Sequence, residues 1–228
     1  MKKTSLILCM IALCLLSSCS ITQITRGSAY PKMYEEKPTT ILVMPPINNT
    51  NAVEAKDYFY TSLAQPLIEK GYYVLSPFLA MNVLQEESAY DSEMFIDANL
   101  KPFNTIFGAD IALFTIINKW SKVTLGNMIS VDIEYIFKST KTNEVLFKRQ
   151  GIINVDTSVN TGGNSAYAAL IDMALSAANT ALTDKVIAAR RCNVYVLRDL
   201  PSGVYSPLFG IDQTYSAGGP VVRGTVKQ

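Results

Sequence analysis

Apolar positions along this chain fall into three kinds of run, and each kind predicts a different element. The first is short and continuous. Thr40-Ile41-Leu42-Val43-Met44 is stopped by Pro45-Pro46, Tyr72-Tyr73-Val74-Leu75 is ended by Pro77, and Ile111 to Trp120 is the strongest such run. Strands covered on both faces read this way. The second kind has helical spacing. Phe59, Leu63 and Leu67 recur every fourth residue within 52–70, after the loop residues Asn48 to Asn51. Pro66 inside that stretch predicts a kink or an early stop, and Gly71 a left-handed cap. Shorter helices are predicted over 78–85 and over 99–107, the latter ending at Gly108. The third kind has a period of two. Ile129, Val131, Ile133, Tyr135 and Phe137 share one face, and Val145, Phe147, Ile153 and Val155 continue the alternation. Leu125-Gly126-Asn127 and Lys141-Thr142-Asn143 read as the hairpin turns between them.

Strand, helix, strand with so short a connection implies a parallel pair with a right-handed crossover. Residues 111–155 then form a three-stranded antiparallel meander with one solvated face. Thr161-Gly162-Gly163-Asn164 breaks the sheet, and an alanine-rich helix is expected over 165–189. The fold class is therefore mixed α/β. The expected sheet has about five strands, with a parallel βαβ start, the meander, and helices packed against it. Residues 19–39, polar and carrying Gly27, Pro31 and Pro38, read as a tether, 40–192 as the domain, and 193–228 as an irregular arm rich in glycine and proline.

The amino terminus changes where this domain is expected to work. A basic start, Met1-Lys2-Lys3, precedes the unbroken apolar run Leu6 to Leu16. Eleven residues make a helix of roughly 16 Å, about half the hydrocarbon thickness. That is signal-peptide length. The run ends Leu16-Ser17-Ser18-Cys19, which resembles a bacterial lipobox. The resemblance implies cleavage after residue 18 and lipid on the Cys19 sulfur, whereas an ordinary secretory signal would leave this cysteine a coincidence. Two or more acyl chains give stable anchoring. Ser20, where an aspartate would retain such a protein at the inner membrane, favours the outer membrane, and the absence of an acidic cluster after Cys19 favours a periplasm-facing orientation.

Composition narrows the chemistry. Apolar residues make up 49% of the chain and charged residues 17%, ample for one core. Net charge is +1 with no basic cluster in sequence, which argues against nucleic acid and against a polybasic lipid-binding segment. There is no histidine, so Ser-His-Asp, Cys-His and His-ligated metal chemistry are absent together. Cys9 and Cys14 would leave with the signal peptide and Cys19 would carry lipid, which leaves Cys192 either buried or cross-linking two chains. Gly162-Gly163 lacks the rest of a phosphate-binding loop and reads as a turn. Glu86, Glu87, Asp91, Glu93 and Asp97 read as a solvated acidic stretch, and Asp132 with Glu134 as the polar side of a strand, although either set could supply paired carboxylates. No catalytic, cofactor or metal site is predicted. The residues singled out for partner binding are Trp120, the only tryptophan, and the arm residues Val204, Tyr205, Leu208 and Phe209. Trp120 could equally close the end of its strand.

Several segments together carry a family likeness. They are Ile41-Leu42-Val43-Met44-Pro45-Pro46-Ile47-Asn48, Pro66-Leu67 leading to Gly71-Tyr72-Tyr73-Val74-Leu75, and Ile106-Phe107-Gly108-Ala109-Asp110 with Trp120 closing the strand. In this order, over about residues 35–190, they resemble the envelope lipoprotein family first catalogued among meningococcal genome-derived vaccine antigens. The resemblance implies a fold like the amino-terminal domain of TolB, also seen in the curli pore protein CsgG and in lipoprotein activators of cell-wall synthases. It implies no catalytic residues. The expectation is a non-enzymatic, lipid-anchored accessory of an outer-membrane secretion or assembly complex, with a CsgG-like pore lipoprotein as a candidate partner and homodimerisation as a further option. Activation of a peptidoglycan synthase is the alternative, and a carboxylate-based cell-wall hydrolase a more distant one.

Overall fold

The structure, a computed structural model, describes residues 23–87, 90–123, 128–156, 158, 172–173 and 185–227. The signal segment and Cys19, the turn at 125–127, the glycine pair 162–163 and most of the alanine-rich helix lie outside these residues.

A mixed seven-stranded sheet organises the chain. Two short helices, α1 (Arg26–Ala29) and α2 (Pro31–Glu36), precede β1 (Thr40–Val43) and β2 (Ile47–Asn48). Helices α3 (Ala55–Ser62) and α4 (Ala64–Glu69) lead to β3 (Tyr73–Val74), α5 (Pro77–Glu86) and α6 (Lys101–Phe107). The meander β4 (Ile111–Val123), β5 (Met128–Ser139) and β6 (Val145–Asp156) follows, then α7 (Lys185–Val196) and β7 (Val221–Lys227). The sheet order is β3-β1-β4-β5-β6-β7, with β2 also on β4. The parallel start is β1 with β3 and with β4, and the meander pairs antiparallel as its period of two requires.

β1 and β2 occupy one edge of β4 in succession, at Ile111 to Leu113 and again at Ile116 and Ile117. Pro45-Pro46 separates them because neither proline can donate to the ladder. Helices α3 and α4 are parted at Leu63, which places Pro66 within the first turn of α4, where no amide donor is needed. Gly71 and Gly108 adopt left-handed backbone, φ 87° and 64°. Asp110, the last residue of the family-like motif, accepts from the Thr39 and Thr40 amides at 2.9 and 3.1 Å and pairs with Lys141 at 2.6 Å. It pins the start of β1 to the β5–β6 turn.

Alternation along β1 divides the interior into two layers. Ile41 and Val43 join Phe59, Leu63, Leu67, Tyr135, Phe137 and Cys192 on one side. Leu42 and Met44 join Leu84, Phe103, Ala112 and Phe114 on the other. The first layer also holds a buried polar chain in which the Tyr135 hydroxyl donates to Asn193 and the Asn193 amide donates to Ser62 Oγ at 2.9 Å. This ties β5, α7 and α3 together inside the core.

Two expectations are corrected. The part of the proposed tether within 23–39 is folded: Arg26 and Met33 are buried, and the Arg26 amide and the Ile24 carbonyl bond the arm at Tyr215 and Ala217. The arm is not irregular throughout. α7 runs to Val196, and Val221 to Lys227 add a strand parallel to β6, so the sheet has seven strands rather than about five. A β-branched stretch interrupted by Gly224 hid that strand in the sequence.

Candidate functional site

The arm is held to the domain by two ion clusters and a close backbone contact. Arg26 pairs with Asp212 at 2.9 Å, and Asp212 also accepts from the Ser202 amide at 2.8 Å and the Tyr34 hydroxyl at 3.1 Å. Burial pushes the Asp212 carboxyl up, but the Ser202, Arg26 and Tyr34 hydrogen bonds together hold it below the ordinary aspartate value. Fully buried Arg149 pairs with Asp199 at 2.9 Å, donates to Tyr30 Oη at 2.8 Å and to the Ala217 carbonyl, and lies over the Phe147 ring. One buried carboxylate and one buried guanidinium are thus matched from three separate chain segments. At Gly71 and Gly203 the backbones nearly touch. A Cβ on Gly71 would stand 2.3 Å from the Ser206 nitrogen, and one on Gly203 would stand 2.3 Å from the Gly71 carbonyl oxygen. The Gly203 amide donates to the Lys70 carbonyl at 2.8 Å, and the Tyr72 hydroxyl donates to the Pro201 carbonyl at 2.7 Å.

The residues singled out from sequence are not one cluster. Tyr205 is 69% exposed and Leu208 42% exposed at the tip of the arm, whereas Val204 and Phe209 are half-buried. Trp120 stands elsewhere, half-buried on β4 against the rings of Tyr58 and Phe59 at 5.9 and 5.4 Å. Those contacts are the ones a strand-closing role requires. The arm tip borders a cavity of about 320 Å³ into which Arg26, Lys70, Arg198, Leu208 and Tyr215 face.

A second surface was missed by the sequence reading. Between α5 and α6 lie two shallow apolar cavities of about 200 and 220 Å³ that share Val83 and Phe107. Leu79 and Ile106, which line them, are 62% and 61% exposed, and Phe78 of α5, outside both linings, is 72% exposed. The signal was in the helix itself. In Pro77 to Glu86, Ala80 and Leu84 supply the inward stripe, and Phe78 and Leu79 are apolar beyond what one buried face uses.

The carboxylates considered for catalysis are occupied or solvated. Asp132 accepts from Gln150 at 2.8 Å and Glu134 pairs with Lys148 at 3.1 Å, so neither faces the other. Glu86, Glu87, Glu93 and Asp97 are exposed, and Asp91 caps the short turn at Ser92–Phe95. Among the described residues there is no group of His, Cys, Asp and Glu arranged to hold a metal ion. Cys192 is buried and unpaired, and burial pushes its thiol up to about 12.

A protein-family model described as "Putative lipoprotein GNA1162-like" matches residues 28–199. The chain belongs to this family. The GNA1162-like match ends within the arm, at residue 199. A curated relative, "Putative lipoprotein NMB1124/NMB1162" of Neisseria meningitidis serogroup B, is 24% identical over 182 residues, covering 79% of this chain and 83% of the relative. The crystal structure of lipoprotein GNA1162 from Neisseria meningitidis covers 60% of this chain and 95% of its own, with 20% identity and a TM-score of 0.48. The LpoB C-terminal domain from Escherichia coli covers 53% of this chain and 92% of its own, with 15% identity and a TM-score of 0.34. Family membership makes the protein a lipoprotein of the cell envelope, held at a membrane.

Proposed function

We propose that this GNA1162-like lipoprotein is a non-enzymatic accessory of the outer membrane, anchored by lipid on Cys19 and facing the periplasm, that holds other envelope proteins through the furrow between α5 and α6. The observation that carries this reading is the furrow. Soluble monomers seldom leave contiguous apolar patches uncovered unless something docks there, and Leu79 and Ile106, which line the paired apolar cavities, are both more than half exposed. The lipobox-like Leu16 to Cys19 supports the anchor, and Ser20 supports the outer membrane. Engagement of Asp132 with Gln150 and of Glu134 with Lys148 supports binding over carboxylate catalysis. A CsgG-like pore lipoprotein, within a secretion or assembly complex, is the partner this reading favours.

The test is in-cell cross-linking of tagged full-length protein, followed by mass spectrometry of what is attached. A CsgG-like lipoprotein captured by the parent and lost in Leu79→Ser/Ile106→Ser supports the reading. Capture of a cell-wall synthase moves the protein to the activator role, and capture of its own copies alone makes it self-assembling. Cys19→Ala protein is expected to leave the membrane fraction, and its retention there would remove the anchor from the account.

A further inference from the structure

The cavity under the arm gathers cations that the sequence scatters. Arg26, Lys70 and Arg198 come from three segments, which is why no basic cluster is visible in the linear chain. Their charges are not equally matched. Arg26 is taken by Asp212 at 2.9 Å, and Arg198 approaches Asp199 at 3.5 Å, a carboxylate that Arg149 already holds at 2.9 Å. Glu69, the acidic residue of the lining, accepts from Gln65 at 2.7 Å. Among the described residues no carboxylate bonds Lys70, whose ammonium donates to the Arg198 carbonyl. Burial, and then repulsion from Arg26, lower the Lys70 pKa against the attraction of Asp199 and Asp212. An anion in the cavity would add to that attraction.

The rim of this cavity is apolar and outward-facing. Val194, Leu208 and Tyr215 of its lining are exposed, and so are Tyr205 and Ile211 in the same stretch of the arm and Ile24, whose carbonyl accepts from the Ala217 amide. Chain length fixes how far this rim can stand from the membrane. Arg26 follows Cys19 by seven residues, which span at most roughly 25 Å fully extended. Aromatic and aliphatic side chains around a cation cluster in which, among the described residues, Lys70 has no carboxylate bond and Arg198 shares one, on so short a leash, are the composition of a surface that rests in the headgroup region.

We infer that the cavity under the arm binds the phosphate of an anionic membrane lipid, with Lys70 and Arg198 on the phosphate and Tyr205, Leu208 and Tyr215 against the headgroup–acyl boundary. This rests on the Cys19 anchor of the proposed function and adds an orientation to it: the arm faces the bilayer, and the furrow is left for protein partners.

Amine footprinting of the lipidated full-length protein tests it. Acetylation of each lysine is followed by mass spectrometry in detergent, in detergent with inorganic phosphate, in phosphatidylcholine vesicles, and in phosphatidylcholine vesicles carrying phosphatidylglycerol. Lys70 should react about fivefold more slowly in the phosphatidylglycerol vesicles alone, the change that corresponds to roughly 1 kcal/mol per basic group at an anionic surface. Exposed Lys101 of α6 should not change. Arg198→Gln, at a half-exposed position that leaves the Arg26 and Arg149 pairs intact, should abolish the Lys70 protection. Equal Lys70 reactivity in both kinds of vesicle overturns the inference, as does protection that persists in Arg198→Gln. Protection by inorganic phosphate in detergent also overturns it, in favour of a soluble anion. These failures are distinct from failure of the anchor, which the intact mass would reveal as unlipidated Cys19.

Discussion

The two sides of the sheet use the same strands and end differently. On the side of Ile41 and Val43, α3, α7 and the arm close over the core, and every segment that crosses is fastened by a buried polar group: Asn193 to Tyr135 and Ser62, Arg26 to Asp212, Arg149 to Asp199. On the side of Leu42 and Met44, α5 and α6 cover a smaller, mainly apolar layer and leave cavities at its rim, and their polar fastenings are hydrogen bonds to backbone carbonyls rather than buried ion pairs, Tyr60 to Pro77 at 2.7 Å and Asn104 to Ala109 at 2.8 Å. A strand buried on both faces thus supplies one layer that is latched and one that is open. The latched side sets stability, and the open side offers surface.

The largest expected effect comes from breaking a latch. Arg149→Ala removes a fully buried guanidinium together with its bonds to Asp199, Tyr30 and the Ala217 carbonyl and its packing on Phe147, and should cost about 3 kcal/mol, read as a lowered chemical-denaturation midpoint. Leu84→Ala, in the layer beneath α5, removes only packing. If it costs as much, the contrast between the sides fails. Next is Gly71→Ala, which meets left-handed backbone and the Ser206 nitrogen together. It should cost at least about 1–2 kcal/mol and free the arm, seen as faster proteolysis between residues 200 and 220. Third, acid should act on the latched side. Hydrogen bonds and ion pairs hold the Asp110 and Asp212 carboxyls below their ordinary value despite burial. Their contribution is therefore complete above about pH 4, where the unfolded carboxyls ionise, and is lost as pH falls through the lower folded values. Asp212→Asn should flatten that acid limb of a pH–stability curve. Fourth, Cys192, with its thiol pushed up to about 12, should resist alkylation in the native state and label only as the latched layer opens. The smallest effect is expected on the open side, where Phe78→Ser should move stability by no more than about 0.5 kcal/mol.

The strands were legible because their periods differ. A fully apolar Thr40 to Met44 can only be buried on both faces, and the alternation from Ile129 to Phe137 fixes both the meander and which side faces the core. The class, the parallel start and the end of α6 at Gly108 followed from such local signals. What stayed hidden was long-range. Nothing near Arg26 announces Asp212, and nothing near Gly71 announces Gly203, because each partner is well over a hundred residues away. For the same reason 23–39 read as a tether: its polar look reflects groups that pair with the arm. Tyr205 and Leu208 were singled out from sequence and are exposed, whereas the furrow was not singled out, because the surplus apolar residues of α5 look like ordinary core until Ala80 and Leu84 are seen to fill that role. Trp120 read equally as anchor or as closure, and its rings-in-contact with Tyr58 and Phe59 are those that closure requires.

The most direct measurement places a photo-cross-linking amino acid at Leu79 in one full-length protein and at Tyr205 in another, and compares in living cells what each captures. The account predicts an envelope protein on Leu79 and lipid, without that protein, on Tyr205. A protein partner captured through Tyr205 while Leu79 captures none would contradict it.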